Sequence, residues 1–347
     1  MTTIGIDIGG ANTKVASADG SIAEIHYLPL WKDAALPDLL AGIADRLMPD
    51  KVGVVMTGEL ADCFESKGQG IAFISGAVEH AFPESEIYYL NNKCEFTGGY
   101  DPSLAAANWA ASAGLLARDC ACVFVDVGST TTDIIPIAGG AALACGTDFE
   151  RLKRGELLYS GVLRTNLAAL LDRVVLDGAG CRISSELFAI TADAYLVLGR
   201  IAEADYTCET PDHAGTTVAD SIRRLARIVC ADPDEIRGSG SGVHSIAEQV
   251  QEKQVQELSG AINDALTRHG LNRVIGTGLG EFLIRDAVER LDGVECSFVS
   301  GRYGEGMSKV FPAYAVARLV DLLNFEIFRN QTGNLTAEGT KACGEGR

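Results

Sequence analysis

Two stretches of this chain share one chemical plan: an apolar run, an aspartate, then a turn of small residues and hydroxyls. The first is Ile4-Gly5-Ile6-Asp7-Ile8-Gly9-Gly10-Ala11-Asn12-Thr13-Lys14. The second is Val123-Phe124-Val125-Asp126-Val127-Gly128-Ser129-Thr130-Thr131-Thr132-Asp133. A strand that stops near Asp and turns tightly through Gly exposes backbone N–H groups. With the side chains of Asn12, Thr13, Ser129, Thr130 and Thr131, those groups can hold phosphate oxygens. Asp7, Asp126 and Asp133 are candidate ligands for Mg²⁺, which favours oxygen donors. Lys14 would add a point charge, and Gly9, Gly10 and Gly128 would make the turns. Two such loops facing each other would grip a polyphosphate and its metal from both sides.

A third segment, Arg273-Val274-Ile275-Gly276-Thr277-Gly278-Leu279-Gly280-Glu281-Phe282-Leu283, reads as a strand, a Gly-rich turn and a helix start. Gly276, Gly278 and Gly280 join the candidate ligand-binding set. A lone glycine turn is ordinary, and the order of the three segments is the more specific signal. A dinucleotide fingerprint fails, because Gly9-Gly10-Ala11-Asn12 is not GxGxxG and a hairpin rather than a helix follows. A Walker loop fails too, since Lys14 lacks the preceding glycine spacing. Residues 147–164 are dense in charge. There Arg151 and Arg164 either contact an anionic substrate group or form surface ion pairs. Glu59 follows a strand end, either as a base or as a carboxylate favoured by a helix dipole.

These residues need a scaffold of alternating strands and helices. Asp19-Gly20 is a hairpin signal after the first strand pair, with a further strand over 22–28. Periodicity predicts helices over 36–48, 103–117, 163–171, 186–198, 221–230 and 246–269, and a last helix over 313–328. Strands are predicted over 52–56 and 87–90. A polar tail from Asn330 is expected to be mobile.

The chain has 347 residues, 47% of them hydrophobic, which allows two domains with substantial cores. Its formal net charge of −18 argues against broad binding to nucleic acid or anionic membrane, both of which need a positive field. The ten cysteines contain no CxxC pair, so they read as reduced core thiols in a cytoplasmic protein. No signal peptide and no bilayer-spanning stretch is expected.

The three glycine turns resemble the phosphate-1, phosphate-2 and adenosine motifs of the actin, sugar-kinase and heat-shock-chaperone ATPase superfamily. A narrower resemblance is to a hydantoinase/oxoprolinase-like family. It is carried by Thr57 to Phe64, Ala105 to Trp109, Phe124 to Pro136, Thr147 to Leu152, Gly155 to Thr165 and Glu186 to Ala189. That family occurs in organisms using methanofuran and tetrahydromethanopterin as one-carbon carriers. The resemblance implies a transferase that joins 5-(aminomethyl)-3-furanmethanol diphosphate to the phenol of γ-glutamyltyramine, releasing diphosphate. Sugar kinases of the superfamily commonly place a catalytic Asp at the start of the first connecting helix. Here the comparable stretch is Ala107-Asn108-Trp109, with no carboxylate.

The expected fold is α/β, with two actin-like, ribonuclease-H-like domains around a central cleft. The first domain would span 1–118 plus 311–329, the second 119–310, and the tail 330–347. The expected function is the aryl-ether-forming transferase, with Mg²⁺ as cofactor and ATP possible but not required. Asp7, Asp126, Lys14 and Glu59 are the catalytic candidates. Its partners would be the diphosphate and phenolic amine substrates. Two alternatives stand beside it: an ATP-dependent small-molecule kinase or amidohydrolase, and a non-enzymatic nucleotide-binding module.

Overall fold

A computed structural model describes residues 2–32, 35–236 and 242–323. The expected tail from 330, and the part of the last helix beyond 323, lie outside the described residues. The chain divides into two compact units, Met1–Leu115 with Val310–Arg347, and Leu116–Lys309.

The first unit is built on a sheet of β1 (Thr3–Ile8), β2 (Asn12–Ser17), β3 (Ala23–Tyr27), β4 (Lys51–Met56), β5 (Glu86–Leu90) and β6 (Phe96–Thr97), in the order β3-β2-β1-β4-β5-β6. β1 runs antiparallel to β2 and parallel to β4, which is parallel to β5. Every residue of β1 and β4 is buried, as expected for strands covered on both faces. α1 (Leu36–Leu47) buries Leu36, Leu40 and Ile43 at helical spacing and ends where Met48 turns left-handed. α2 (Lys67–Ala81) starts at Ser66, whose Oγ accepts from the Gln69 N–H. α3 (Asn108–Leu116) and helical residues 311–323 complete the unit, with Ala111, Ala315 and Val316 packed on Val55 and Leu90.

The second unit repeats that strand plan. Its sheet contains β7 (Cys122–Val127), β8 (Thr132–Ala138), β9 (Ala141–Ala142), β10 (Leu157–Leu158), β13 (Arg273–Thr277) and β14 (Glu295–Phe298). The order is β10-β8-β7-β13-β14, with β9 beside β8. β7 runs antiparallel to β8 and parallel to β13, just as β1 relates to β2 and β4. α4 (Asp148–Arg154), α5 (Leu167–Leu170), α6 (Thr191–Val197), α7 (Val218–Arg227), α8 (Gly242–His269), α9 (Glu281–Val288), α10 (Val299–Tyr303) and α11 (Glu305–Lys309) surround it, with a separate hairpin, β11 (Arg173–Leu176) and β12 (Ala179–Arg182). α8 buries Ile246, Val250, Leu258, Ile262 and Leu266. Each such side chain contributes about 1.5–3 kcal/mol. The Lys253–Glu257 pair on the same helix adds only about 0.2–0.5 kcal/mol, so the apolar stripe decides how the helix faces.

Three expected helices are shorter than their periodicity suggests. α3 begins at Asn108 because a 3₁₀ turn at Pro102–Leu104 and a left-handed Ala106 precede it. α5 starts only at Leu167, because Asn166 is extended, bridges Ile190, and caps the first turn by accepting from the Ala168 N–H. α6 starts only at Thr191, because Ala189 and Ile190 pair with Leu167 and Asn166 in extended conformation. Several elements were not expected, among them α2, β14, α10, α11 and the β11–β12 hairpin. The hairpin turns at Asp177-Gly178, both left-handed, a signal present in the sequence. Among the described residues no helix is long and apolar enough to cross a membrane.

Candidate active site

In both units the candidate aspartates, Asp7 and Asp126, sit near the carboxyl end of a central strand, β1 or β7, where parallel sheets commonly place ligands. In the first unit Asp7 lies opposite Lys14 in the β1–β2 ladder, and Lys14 Nζ stands 3.5 Å from Asp7 Oδ2. The hairpin therefore carries its own counter-charge. The Gly9 N–H donates to the Asn12 carbonyl at 2.9 Å and closes the turn through Gly10. Asn12 Oδ1 and Thr13 Oγ1 are buried and, among the described residues, accept and donate nothing. Leaving such atoms unsatisfied costs about 1–3 kcal/mol each, so they mark a place that a polar ligand would relieve. The N–H groups of Thr57 and Gly58 both donate to the Ile8 carbonyl, folding the end of β4 over the end of β1. Glu59 follows directly and is buried. α3 opens at Asn108, whose Oδ1 accepts from the Trp109 N–H, so no carboxylate stands at that helix start.

In the second unit the hairpin pairs acid with acid. Asp126 on β7 faces Asp133 on β8 in register. The counter-charge comes from outside the hairpin. Arg151 on α4, almost fully buried, donates to Asp133 at 2.5 Å, to Asp148 at 3.1 Å and to the Glu156 carbonyl at 3.1 Å. α4 is fixed for this by Thr147, which caps its first turn, and by left-handed Gly155 at its end. Arg151 and Asp133, expected on a substrate and on a metal, are thus bound to each other. Thr132 and Asp133 continue a buried strand, although a run of hydroxyls and carboxylates looks poor for one. Arg151 and the Ser160 carbonyl, which accepts from Thr132 Oγ1 at 2.7 Å, supply the polar partners that make this burial tolerable.

The turn itself is closed by the Gly128 N–H, which donates to the Thr131 carbonyl at 2.9 Å. Among the described residues, no acceptor takes the N–H of Ser129 or Thr130. Arg164 reaches the turn with Nη1 3.5 Å from Thr130 Oγ1. The structure therefore brings Ser129, Thr130, Thr131 and Arg164 together.

The third glycine turn is used differently from the other two. A Cβ on Gly276 would meet the Phe298 ring at 2.9 Å, so this glycine admits packing. The Gly278 N–H donates to Ser308 Oγ at 3.1 Å, and the Gly280 N–H to the Val127 carbonyl at 2.9 Å. Gly278 has φ +94°, and a Cβ there would lie 2.5 Å from Asp126 Oδ1. The turn thus presses directly on Asp126. Ser308 is held in turn by Glu281 at 2.5 Å, which also accepts from Ser300 Oγ.

Sequence reasoning gave no role to Ser160, Gly161, Gln254, Glu281 or Ser308, although the first two lie in a segment that carries the family resemblance. Gln254 had a visible signal. It interrupts the apolar stripe of α8 between Val250 and Leu258, where a buried amide needs specific partners.

The donor chemistry fits Mg²⁺. Among the described residues, no group of three or more His, Cys, Asp or Glu side chains could hold an ion alone. Mg²⁺ usually takes one or two carboxylates and completes its shell with water and phosphate oxygens. A strand-end aspartate beside a hydroxyl turn suits that habit.

Known proteins match this chain along most of its length. The hydantoinase/oxoprolinase profile matches residues 50–322. A protein of Methanocaldococcus jannaschii named (4-{4-[2-(gamma-L-glutamylamino)ethyl]phenoxymethyl}furan-2-yl)methanamine synthase is 38% identical over 91% of this chain and 97% of its own length. A protein of the same name from Methanococcus vannielii is 38% identical over 57% of this chain and 90% of its own. Among solved structures, nucleotide-free acetone carboxylase aligns with a TM-score of 0.55 over 91% of this chain and 70% of that one. At 11% identity this likeness speaks for the actin-like α/β fold alone. The chain belongs to the hydantoinase/oxoprolinase family.

Proposed function

We propose that this chain is a transferase of methanofuran biosynthesis. It would join 5-(aminomethyl)-3-furanmethanol diphosphate to the phenol of γ-glutamyltyramine. One observation carries the reading: the 38% identity over 91% of the chain with a synthase whose name spells out a phenoxymethyl furan. The furfuryl C–O bond breaks with its electron pair on the departing diphosphate. The phenol oxygen forms the new C–O bond, and its proton passes to a base or to water.

A furan ring stabilises positive charge on its exocyclic carbon, so the barrier lies mainly in the charge gathering on diphosphate. We assign the phosphate-holding role to Gly9, Gly10, Asn12, Thr13 and Lys14 in the first unit and to Gly128, Ser129, Thr130, Thr131 and Arg164 in the second. Lys14 and Arg164 bring positive charge to a chain whose net charge is −18, which favours a small anion over an extended polyanion. Asp126 and Asp7 are the carboxylates assigned to Mg²⁺, which when bound would neutralise phosphate oxygens. Glu59 is the candidate acceptor for the phenol proton. Arg151 and Asp133 we assign to the shape of the second hairpin, because each is taken up by the other. ATP is not required in this scheme.

The test is incubation with the furfuryl diphosphate, γ-glutamyltyramine and Mg²⁺, without ATP, and mass spectrometry of the products. The coupled ether is expected. Ether formed only when ATP is added would favour an ATP-dependent enzyme. No product under either condition would favour a nucleotide-binding module.

A further inference from the structure

We infer that Gly161 and Gln254 are positioning residues that brace the Ser129–Thr130 turn, so that its N–H groups face a diphosphate. The inference deepens the transferase reading and rests on it for its functional consequence. The turn is not held by its own hairpin alone. Residues 160–164 run beside it, and three of their N–H groups grip it. Val162 donates to the Gly128 carbonyl at 3.0 Å, while Leu163 and Arg164 donate to the Ser129 carbonyl at 2.9 and 3.0 Å. Both peptides that enter the turn are therefore held from their carbonyl side, which leaves the N–H side for a ligand. Gly161 is what permits this approach. A Cβ there would stand 2.6 Å from the Thr130 nitrogen and 2.7 Å from the Ser129 carbonyl carbon. Any side chain at 161 would push the peptide whose N–H is offered to phosphate.

The bracing segment is itself locked from below. The Gly161 carbonyl accepts from Thr191 Oγ1 at 3.0 Å, from Gln254 Nε2 at 3.1 Å and from Thr165 Oγ1 at 3.3 Å. Gln254 Nε2 also donates to Ser160 Oγ at 2.6 Å. A carbonyl can only accept, so the amide nitrogen of Gln254 must face Gly161 and its oxygen must face away. That oxygen meets the Tyr195 hydroxyl, which is its donor. Burial pushes the Tyr195 phenol up, so it keeps its proton. Tyr195 on α6 thus orients Gln254 on α8, Gln254 holds Ser160 and Gly161, and these hold the turn. A buried polar chain of this kind fixes one geometry because each broken link strands the next group.

The test compares wild type with Gly161→Ala, Gln254→Glu and Tyr195→Phe. Gln254→Glu keeps the shape but replaces the amide donor with an oxygen facing the Gly161 carbonyl. The expected result is a KM for the furfuryl diphosphate about tenfold higher, the size of one lost well-placed contact, with the KM for γ-glutamyltyramine unchanged. Tyr195→Phe should move the same constant in the same direction by less. Gly161→Ala should have the largest effect. If it fails to fold, the other two variants still decide. Amide hydrogen exchange over residues 127–133 gives a readout independent of activity, and it should quicken in Gln254→Glu. A lower Tm with unchanged exchange over 127–133 and an unchanged ratio of the two KM values would overturn the inference. If wild type makes no ether, faster exchange in Gln254→Glu and weaker binding of inorganic diphosphate by calorimetry would keep the brace while the transferase reading falls. Unchanged exchange and unchanged diphosphate binding would remove the brace.

Discussion

The β1–β2 and β7–β8 hairpins follow one plan and balance their charge in opposite ways. In the first, Asp7 has Lys14 directly across the ladder, so acid and cation arrive on neighbouring strands. In the second, Asp126 has Asp133 across the ladder, and the cation comes from Arg151 on a helix that follows later in the chain. The first turn is closed within its hairpin and covered by the end of β4. The second is held by residues 160–164, by α4 and by the Gly278 turn. A hairpin that contains its own ion pair can form early and locally. One that sets two carboxylates side by side depends on the rest of its domain, since like charges directly opposite destabilise a ladder. The second turn is therefore the one that long-range packing can aim, and we place the main burden of holding diphosphate there.

That asymmetry can be broken by substitution. Asp126→Asn should lower kcat about a thousandfold, the scale of removing a preorganised charge from a phosphoryl-type site. Asp7→Asn should cost less, because its charge is already matched by Lys14. Equal losses measured by steady-state kinetics would erase the distinction between the hairpins. Arg151→Met leaves Asp133 buried without its cation and should destabilise the fold by about 3 kcal/mol in urea unfolding. An unchanged midpoint would mean that the second hairpin does not depend on α4.

Lys14→Ala should raise the inhibition constant of inorganic diphosphate about tenfold and leave γ-glutamyltyramine binding unaltered. The same loss for both ligands would make Lys14 a structural partner of Asp7 and nothing more. Glu59→Gln should have the smallest effect, a fall in kcat of about threefold, because a cation-like transition state asks little of a base. A loss larger than that of Asp126→Asn would show that phenol deprotonation limits the rate.

What was legible from sequence followed from local rules. β1, β4, β7 and β13 are short apolar runs closed by turn residues, and their position needs no knowledge of the rest of the chain. α1 and α8 carry an apolar stripe long enough to fix the period. What escaped depended on partners remote in sequence. The start of α5 is set at Asn166, which is held extended by a bridge to Ile190, a partner remote in sequence. Arg151 reads as a substrate contact or a surface ion pair in a charge-dense stretch, and only its burial against Asp133 shows that the pair is internal. The glycines at 276, 278 and 280 read as a ligand turn by spacing alone. Their contact with Phe298 exists only once β13 lies beside β14, and those with Asp126 and Val127 only once it lies beside β7. The two aspartate hairpins were visible by residue type; which residues meet there, and which brace the others, was not.

The central claim is that the furfuryl C–O bond breaks and diphosphate leaves whole. The most direct measurement runs the coupling in ¹⁸O-labelled water, with Mg²⁺ and no ATP, and follows both products by mass spectrometry. The expected outcome is one ether and one unlabelled diphosphate per turnover, with the phenol oxygen retained in the ether. Labelled inorganic phosphate released in step with product, or an absolute requirement for ATP, would contradict it.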